Sequence, residues 1–227
     1  MPVPVLFSWS GGKDSAMALH ALLRDPEFEV VTLLTTVTEG YERISMHGVR
    51  RELLQRQAGS IGLPLEEVRI PPQCGNPVYE SRMGEALLRF RSRGVLHVGF
   101  GDIFLEDLRA YREKKLAPAG MSALFPLWKV DTRELAARFI RDGFRAITVC
   151  LDPAKLPASF AGRELDSSFF SQLPPNVDPC GENGEFHTFV FAGPIFHSPI
   201  GVKRGKVVER ESFVFCDLLP DEKGNTA

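Results

Sequence analysis

Strand-like and helix-like segments alternate through the first two-thirds of the chain, and this alternation constrains the fold more than any other feature. Short apolar or β-branched runs predict strands, and stretches with apolar residues at helical spacing predict the helices between them. The predicted strands are Val3–Trp9, Phe28–Val37, Leu65–Ile70, Val95–Gly101 and Arg145–Leu151. The predicted helices are Ser15–Leu23, Val49–Ile61, Val78–Arg93, Leu105–Leu116 and Thr132–Ile140. Because alternating strands and helices form right-handed β-α-β units, we expect an α/β fold with a Rossmann-like, mostly parallel sheet and helices on both faces.

The last third of the chain has a different composition. Prolines interrupt residues 153–179, and a Gly/Glu-rich stretch follows at Cys180–Thr188. Short strands are predicted at Phe189–Phe191, Gly201–Lys203 and Lys206–Phe215, with a hairpin turn at Val202–Val207. We therefore expect a main domain over residues 1–150, a smaller C-terminal α+β lobe over residues 151–220, and a flexible tail over residues 221–227.

Composition and charge narrow the class of protein. The 227 residues include 27 basic and 29 acidic side chains, which argues against a protein that coats nucleic acid or an anionic membrane. No apolar run reaches the roughly 18 residues of a spanning helix, and the first residues carry no basic targeting signal. The 4 cysteines are widely spread, as in a reduced cytosolic protein. A zinc site is the alternative, although no paired ligands stand at the spacing of a zinc finger. We expect a cytoplasmic protein without membrane or nucleic-acid partners, and the sequence leaves a homodimer open.

The most informative motif is Ser10–Ser15, which we call the glycine-rich loop and which lies between the first predicted strand and helix. Two glycines allow a tight turn, and the following helix offers unpaired N–H groups and a partial positive charge to an anion. Lys13 adds a full positive charge. The loop therefore predicts a phosphate site formed by Ser10, Gly11, Gly12, Lys13, Asp14 and Ser15. It is not a Walker A loop, because Phe7 and Asp14 stand where that motif needs Gly and Ser or Thr. An ordinary glycine-rich turn is the alternative.

The string Ser-Gly-Gly-x-Asp-Ser resembles the pyrophosphate loop of the PP-loop ATP pyrophosphatases. Within that superfamily the chain resembles the diphthine–ammonia ligase family from about Val3 to Leu218. The resemblance rests on three blocks, Phe7–Ser15, Gly101–Ile103 and Gly181–Thr188. It implies a fold of the HUP/PP-loop type whose first domain binds ATP. It also implies that ATP is cleaved to AMP and pyrophosphate, that a carboxylate is adenylated, and that ammonia then displaces AMP. ATP and Mg²⁺ are the implied cofactors, with Asp14 as a metal ligand.

Two residues depart from the family pattern Glu-Gly-Gly-Glu-Phe/Tyr-Glu-Thr. Asn183 replaces the first glycine, and His187 replaces the glutamate before the threonine. Both departures fall on Gly181–Thr188, which is expected to bind the acceptor and which we call the acceptor loop. Neither falls on the glycine-rich loop, which is expected to bind ATP. The acceptor therefore stays open between diphthine on elongation factor 2 and a small carboxylate-bearing molecule.

The acceptor loop contains three candidate catalytic residues, Glu182, Glu185 and His187. Two carboxylates and an imidazole can order a cationic nucleophile or remove its proton. An imidazole ordinarily titrates near pH 6.5, so His187 as a base predicts turnover that rises through that pH. The alternative is a solvated acidic turn.

Further candidates lie after the second and fourth predicted strands. Thr35, Thr36, Met46 and His47 are expected to face the adenosine, because ligands of such sheets bind beyond the carboxyl ends of the strands. The alternative for this segment is that Ser45 caps the next helix and His47 is solvated. Gly101 is expected to allow a close approach to the nucleotide, and Asp102 to hold Mg²⁺, a ribose hydroxyl or ammonia. For Asp102 the alternative is a helix cap.

Two rival functions remain at this stage. Cys180 beside the acceptor loop would suit a tRNA-thiolating PP-loop enzyme that uses a cysteine persulfide. A nucleotide sensor without turnover is the other rival, since some relatives in this superfamily bind ATP or AMP without ligating anything.

Overall fold

The computed structural model describes residues 1–44, 48–210 and 212–221. The strands are β1 (Val3–Ser8), β2 (Phe28–Thr38), β3 (Arg43–Ile44), β4 (Leu65–Ile70), β5 (His97–Gly99), β6 (Ser122–Leu124), β7 (Arg145–Leu151), β8 (Phe186–Ala192), β9 (Val202–Arg210) and β10 (Phe213–Pro220). The helices are α1 (Lys13–Arg24), α2 (Arg51–Ile61), α3 (Asn76–Arg91), α4 (Glu106–Leu116), α5 (Thr132–Arg141) and α6 (Ser167–Ser171). Within these ranges no helix is both long enough and apolar enough to cross a membrane.

The first sheet confirms the predicted fold class. Strand β1 pairs in parallel with β2 and β5, β5 pairs with β6, and β2 pairs with β4, while the short β3 runs antiparallel to the end of β2. Successive residues of β1 point to opposite faces. Phe7 belongs to the core cluster that holds Leu19 of α1 and Leu53 of α2, whereas Leu6 belongs to the cluster that holds Leu87 of α3 and Leu116 of α4. The sheet is therefore covered by helices on both faces.

A smaller sheet is entirely antiparallel, with the strand order β8-β7-β10-β9. The sequence places Arg145–Leu151 at the end of the parallel series, and that placement is wrong, because β7 pairs with β8 and β10. The run has the continuous apolar pattern of a buried strand, and such a pattern does not specify the neighbours of the strand. The boundary expected at residue 150 falls inside β7, and the domain limits stay a prediction.

The hairpin turn predicted at Val202–Val207 is also wrong. These residues lie inside β9, and the turn before β10 contains Ser212 with a φ of 71°. Gly205 suggested the turn, but a Cβ built on it would lie 3.2 Å from the Cβ of Asp217, beside an irregularity in the β10 register. The glycine therefore serves close packing. Of the expected tail, only Asp221 is described, and its amide donates to the Gly201 carbonyl at 2.9 Å.

Candidate active site

A cleft of about 930 Å³ lies at the carboxyl ends of the parallel strands. One wall of the cleft is formed by the ends of these strands with the glycine-rich loop. The opposite wall is Cys180–Thr188, which contains the expected acceptor loop and which we call the acidic loop from here on. The predicted residues that line the cleft are Ser10, Gly12, Asp14, Ser15, Thr35, Thr36, Gly101, Asp102, Glu182 and His187. Gly11, Lys13 and Glu185 lie behind its walls, and Ser45, Met46 and His47 fall outside the described residues. The site thus forms at the edge where a parallel sheet binds ligands, between two segments far apart in sequence.

Hydroxyl groups fix the shape of the glycine-rich loop. The Gly12 amide donates to Ser10 Oγ at 3.3 Å, Ser10 Oγ donates to Ser15 Oγ at 3.0 Å, and Ser15 Oγ donates to the Gly12 carbonyl at 2.9 Å. Gly12 is the N-cap of α1 and supplies no side-chain cap. The first amides of a helix have no partner inside the helix, so the N-terminal turn of α1 is suited to an anion in the cleft.

Gly101 brings the end of β5 against the start of α1. A Cβ at this position would lie 2.8 Å from the Ser15 amide nitrogen and 2.9 Å from the Asp14 carbonyl carbon. The sequence predicts a close approach of Gly101 to a ligand, and the close approach in the structure is to the backbone of the helix. The glycine therefore permits the packing on which the N-terminal turn depends.

Lys13 lies beneath the loop rather than in the cleft. Its side chain is 1% exposed, and its Nζ donates to Asp14 Oδ1 and, at 2.5 Å, to the Cys180 carbonyl. Burial by itself would lower the pKa of the ammonium, but the Asp14 carboxylate raises it above its ordinary value. Lys13 is therefore charged, and it joins the two walls of the cleft.

A contact that the sequence reasoning missed caps α1 from the second sheet. Thr188 Oγ1 accepts a hydrogen bond from the Lys13 amide at 3.0 Å. A threonine at this point of β8 does what a polar N-cap does from the chain just before a helix. The two residues are 175 positions apart, so capping patterns, which are local, give no signal for the contact.

Asp102 faces Arg112, not a helix terminus. Its Oδ2 lies 3.3 Å from the Arg112 Nε, and the Arg112 guanidinium lies 4.9 Å from the centre of the Phe100 ring. The N-cap of α4 is Leu105, so the alternative in which Asp102 caps that helix is not observed. Asp102 and Arg112 both line the cleft, so their ion pair lies beside the space that a ligand would occupy.

Glu182 links the acidic loop to the loop after β5. Its Oε1 accepts hydrogen bonds from the Ile103 amide at 2.8 Å and the Phe104 amide at 3.4 Å. Burial raises the pKa of this carboxyl to about 7, and the nearby Asp14 carboxylate acts in the same direction against those amides. Glu182 therefore exchanges a proton near neutral pH.

Glu185 is not in the cleft. The residue is 3% exposed, and its Oε1 accepts from the Asp178 amide at 3.0 Å and from Asn183 Nδ2 at 3.2 Å. Its Oε2 is buried without a hydrogen-bond partner among the described residues. This placement gives Glu185 a part in shaping the loop, whereas Asn183, which donates to it, lines the cleft.

His187 lines the cleft in the neutral form. Burial lowers the pKa of its imidazole to about 4, and the positive charge of Lys13 adds to the effect. The expectation that this side chain titrates near pH 6.5 is therefore wrong, because a charged imidazole would lose its hydration beside a buried ammonium.

Cys180 has an unreactive thiol. Its Sγ is buried and donates to the Thr132 carbonyl at 3.5 Å, and burial raises the pKa of the thiol to about 12. Persulfide chemistry needs a thiolate, so the geometry gives the thiolation alternative no support.

Within the described ranges, no group of three or more His, Cys, Asp or Glu side chains is arranged to hold a metal ion. One carboxylate at the N-terminal turn of α1, that of Asp14, is 28% exposed in the wall of the cleft. Mg²⁺ commonly binds through one or two carboxylates together with substrate phosphates and water. The Asp14 carboxylate therefore fits a ligand of a nucleotide-borne Mg²⁺.

Comparison with known proteins agrees with this two-part architecture. Residues 2–122 match the family model described as the diphthamide synthase N-terminal domain, and residues 131–219 match the C-terminal domain of the same description. A curated relative, diphthine–ammonia ligase of Schizosaccharomyces pombe, is 28% identical over 229 residues. The alignment covers 92% of this chain but only 38% of that relative, so the chain spans less than half the length of the relative. The two family matches together extend over most of the chain, and this protein belongs to the diphthine–ammonia ligase family.

Proposed function

We propose that the protein is an ATP-dependent amide-forming ligase that releases AMP and pyrophosphate. A carboxylate oxygen of the acceptor attacks the α-phosphorus of ATP, and pyrophosphate leaves. Ammonia then attacks the acyl carbon, and AMP leaves with that oxygen. The observation that carries the proposal is the cleft in which the N-terminal turn of α1 faces the acidic loop, with Lys13 bonded to both walls.

The phosphates of ATP would bind at the glycine-rich loop. The amides of the first turn of α1 would stabilise the negative charge, and the hydroxyls of Ser10 and Ser15, which donate within the loop, would turn to the phosphates. Lys13 would add a fixed positive charge from beneath. Mg²⁺ held by Asp14 would supply further charge neutralisation as pyrophosphate leaves. The adenosine would extend towards Thr35, Thr36 and Gly101. Roles for Met46 and His47 stay predictions.

The acceptor and ammonia would bind against the acidic loop. Ammonium must lose a proton before it can attack, and Glu182, whose pKa of about 7 matches neutral solution, is the base that we propose. Asp102 lies in the loop after β5, to whose amides Glu182 is bonded, and would orient the cation. His187, which is neutral, would contact the acceptor without exchanging a proton.

The activity named for the Schizosaccharomyces pombe relative makes diphthine the first acceptor to test. Asn183 and His187 alter the acidic loop relative to the family pattern, and a small carboxylate is the second acceptor to test. The cytoplasmic location and the homodimer stay predictions.

The experiment is a product analysis on the full chain with ATP, Mg²⁺, ammonium and elongation factor 2 that carries diphthine. We expect AMP, pyrophosphate and the amide in equal amounts, and no AMP when ammonium and acceptor are both omitted. Formation of ADP and phosphate would contradict the proposal. Bound ATP that remains intact with diphthine and with a panel of small carboxylates would favour the sensor instead.

A further inference from the structure

Gln57 is a fully buried polar side chain at the contact between α2 and the glycine-rich loop. It is 0% exposed and lies among the apolar residues of α2 that pack against the first sheet. An amide in such a place loses its hydration, which costs free energy unless every donor and acceptor is bonded. An apolar residue would pack there without that cost.

Each hydrogen-bonding atom of the Gln57 amide has a partner of fixed character. Nε2 donates to the Gly11 carbonyl at 3.0 Å and to the Val190 carbonyl at 2.6 Å, and Oε1 accepts from Trp9 Nε1 at 3.1 Å. The indole N–H can only donate and the two carbonyls can only accept, so the orientation of the amide is determined. Gln57 therefore ties together α2, β8 and the two residues on either side of Ser10.

The Gly11 carbonyl is held from a second direction as well. It also accepts from the Val190 amide at 2.9 Å, so both its lone pairs are used. Gly11 has a φ of +78°, and a Cβ there would lie 2.7 Å from Gln57 Oε1. The first glycine of the motif is thus required by the approach of Gln57, in addition to any approach of a ligand.

Fixing this carbonyl also fixes the next amide. The Gly11 carbonyl and the Gly12 N–H belong to one planar trans peptide, in which the oxygen and the hydrogen point in opposite directions. Since the oxygen points to Gln57 and β8, the N–H points to the other side, where Ser10 Oγ accepts it in the wall of the cleft.

We propose that Gln57 is a positioning residue for phosphate binding, which holds the Gly11–Gly12 peptide so that its N–H faces the cleft. Val190 in β8 shares the task, so the second sheet sets the orientation of a loop that belongs to the first. The inference rests on the proposed function only in placing phosphates at the glycine-rich loop.

The test is the affinity of the full chain for inorganic pyrophosphate and for ATP, measured by calorimetry, with chemical unfolding measured in parallel. Gln57→Leu removes the side-chain donor from both carbonyls and leaves the Gly11 carbonyl with the Val190 amide alone. We expect Kd for both ligands to rise about tenfold or more. Phe90→Leu and Phe90→Ala are the controls, because Phe90 is a core residue in the cluster on the opposite face of the sheet. We expect them to lower stability by amounts that bracket Gln57→Leu while leaving both Kd values within about twofold.

A second variant separates orientation from packing. Gln57→Glu keeps the shape but points a carboxylate at two carbonyls, which disfavours the charged form until a proton restores a donor. Relative to the wild type at each pH, its pyrophosphate affinity should recover as the pH falls from 8 to 5, and that of Gln57→Leu should not.

Equal affinities for Gln57→Leu and the wild type, or a Phe90 variant of matched stability that weakens binding as much, would overturn the positioning role. Failure of the wild type to bind pyrophosphate would overturn it too. Failure to release AMP while pyrophosphate still binds would count against the proposed function alone.

Discussion

The two walls of the cleft use charge in different ways. In the glycine-rich loop the groups that face the cleft are the N-terminal turn of α1 and two hydroxyls, and the full charge of Lys13 lies buried beneath them. In the acidic loop the charged side chains were expected to face the acceptor. There Glu182 accepts from two backbone amides, and Glu185 is directed into the protein.

A charged residue in a sequence motif therefore need not contact a ligand. Loops this rich in glycine have few apolar side chains with which to hold their shape, so some of their charges are used to bond the backbone. Lys13 and Glu185 both serve in that way. The groups proposed to meet the acceptor and ammonia have pKa values shifted by their surroundings: that of Glu182 is raised to about 7, and that of His187 is lowered to about 4.

Removing the charge beneath the glycine-rich loop should have the largest effect on turnover. Lys13→Ala is expected to lower kcat by about 10²–10³, because stabilisation of the leaving pyrophosphate is lost. It should also destabilise the fold by roughly 3 kcal/mol, since the Cys180 carbonyl and Asp14 lose a buried partner. Steady-state kinetics and urea unfolding measure the two effects. Normal kcat in a destabilised Lys13→Ala protein would show that the lysine stabilises the fold without contributing to catalysis.

In the acidic loop, Glu182→Gln should lower turnover by about 10² near pH 8, because the proposed base is removed. The oxygen of the glutamine side chain can still accept from the Ile103 amide. Burial raises the folded-state pKa of Glu182 to about 7, above its unfolded value of 4.5, so the native state binds this proton more tightly. The group therefore favours folding at low pH, and this contribution is lost as the pH rises from about 4.5 through 7.

Unfolding measured at pH 5, 6, 7 and 8 tests the sign. The wild type should lose stability relative to Glu182→Gln across that range. A pH–rate curve that keeps its inflection near 7 in the variant would assign the base to another group.

His187→Gln tests the side chain that changed most from expectation. Because the pKa of the imidazole is about 4, its protonation does not change between pH 6 and 9. We expect a drop in turnover of less than about tenfold and a pH–rate curve of unchanged shape, measured with saturating ATP. A wild-type inflection near pH 6.5 that disappears in the variant would return His187 to the role of base.

The smallest effect is expected for Glu185→Gln. The neutral amide can accept from the Asp178 amide and removes a buried charge whose second oxygen has no partner among the described residues. Turnover should stay within about threefold of the wild type, with unchanged or higher stability. Loss of the amide product with intact ATP binding would place Glu185 on the acceptor after all.

The parts of the molecule that the sequence predicts well are those set by local physics. Leu65–Ile70 and Arg145–Leu151 are predicted with the bounds observed for β4 and β7. Prolines at positions 64 and 71 delimit the first, and the second is an apolar run that ends before Asp152 and Pro153. The glycine-rich loop before α1 is likewise a local pattern. The partners of β7 and the direction of the Lys13 side chain depend on residues far away in the chain, such as Cys180. Neither hydrophobic periodicity nor a local motif indicates these long-range contacts.

Oxygen-isotope transfer would show whether the cleft joins a carboxylate oxygen to the α-phosphorus of ATP, as we propose. The full chain would be given ATP, Mg²⁺, ammonium and elongation factor 2 whose diphthine carboxylate carries ¹⁸O, and the AMP would be analysed by mass spectrometry. We expect one ¹⁸O atom in each AMP released and none in the pyrophosphate. Amide formed with unlabelled AMP, or with ADP and labelled phosphate, would contradict adenylation of the acceptor in this cleft.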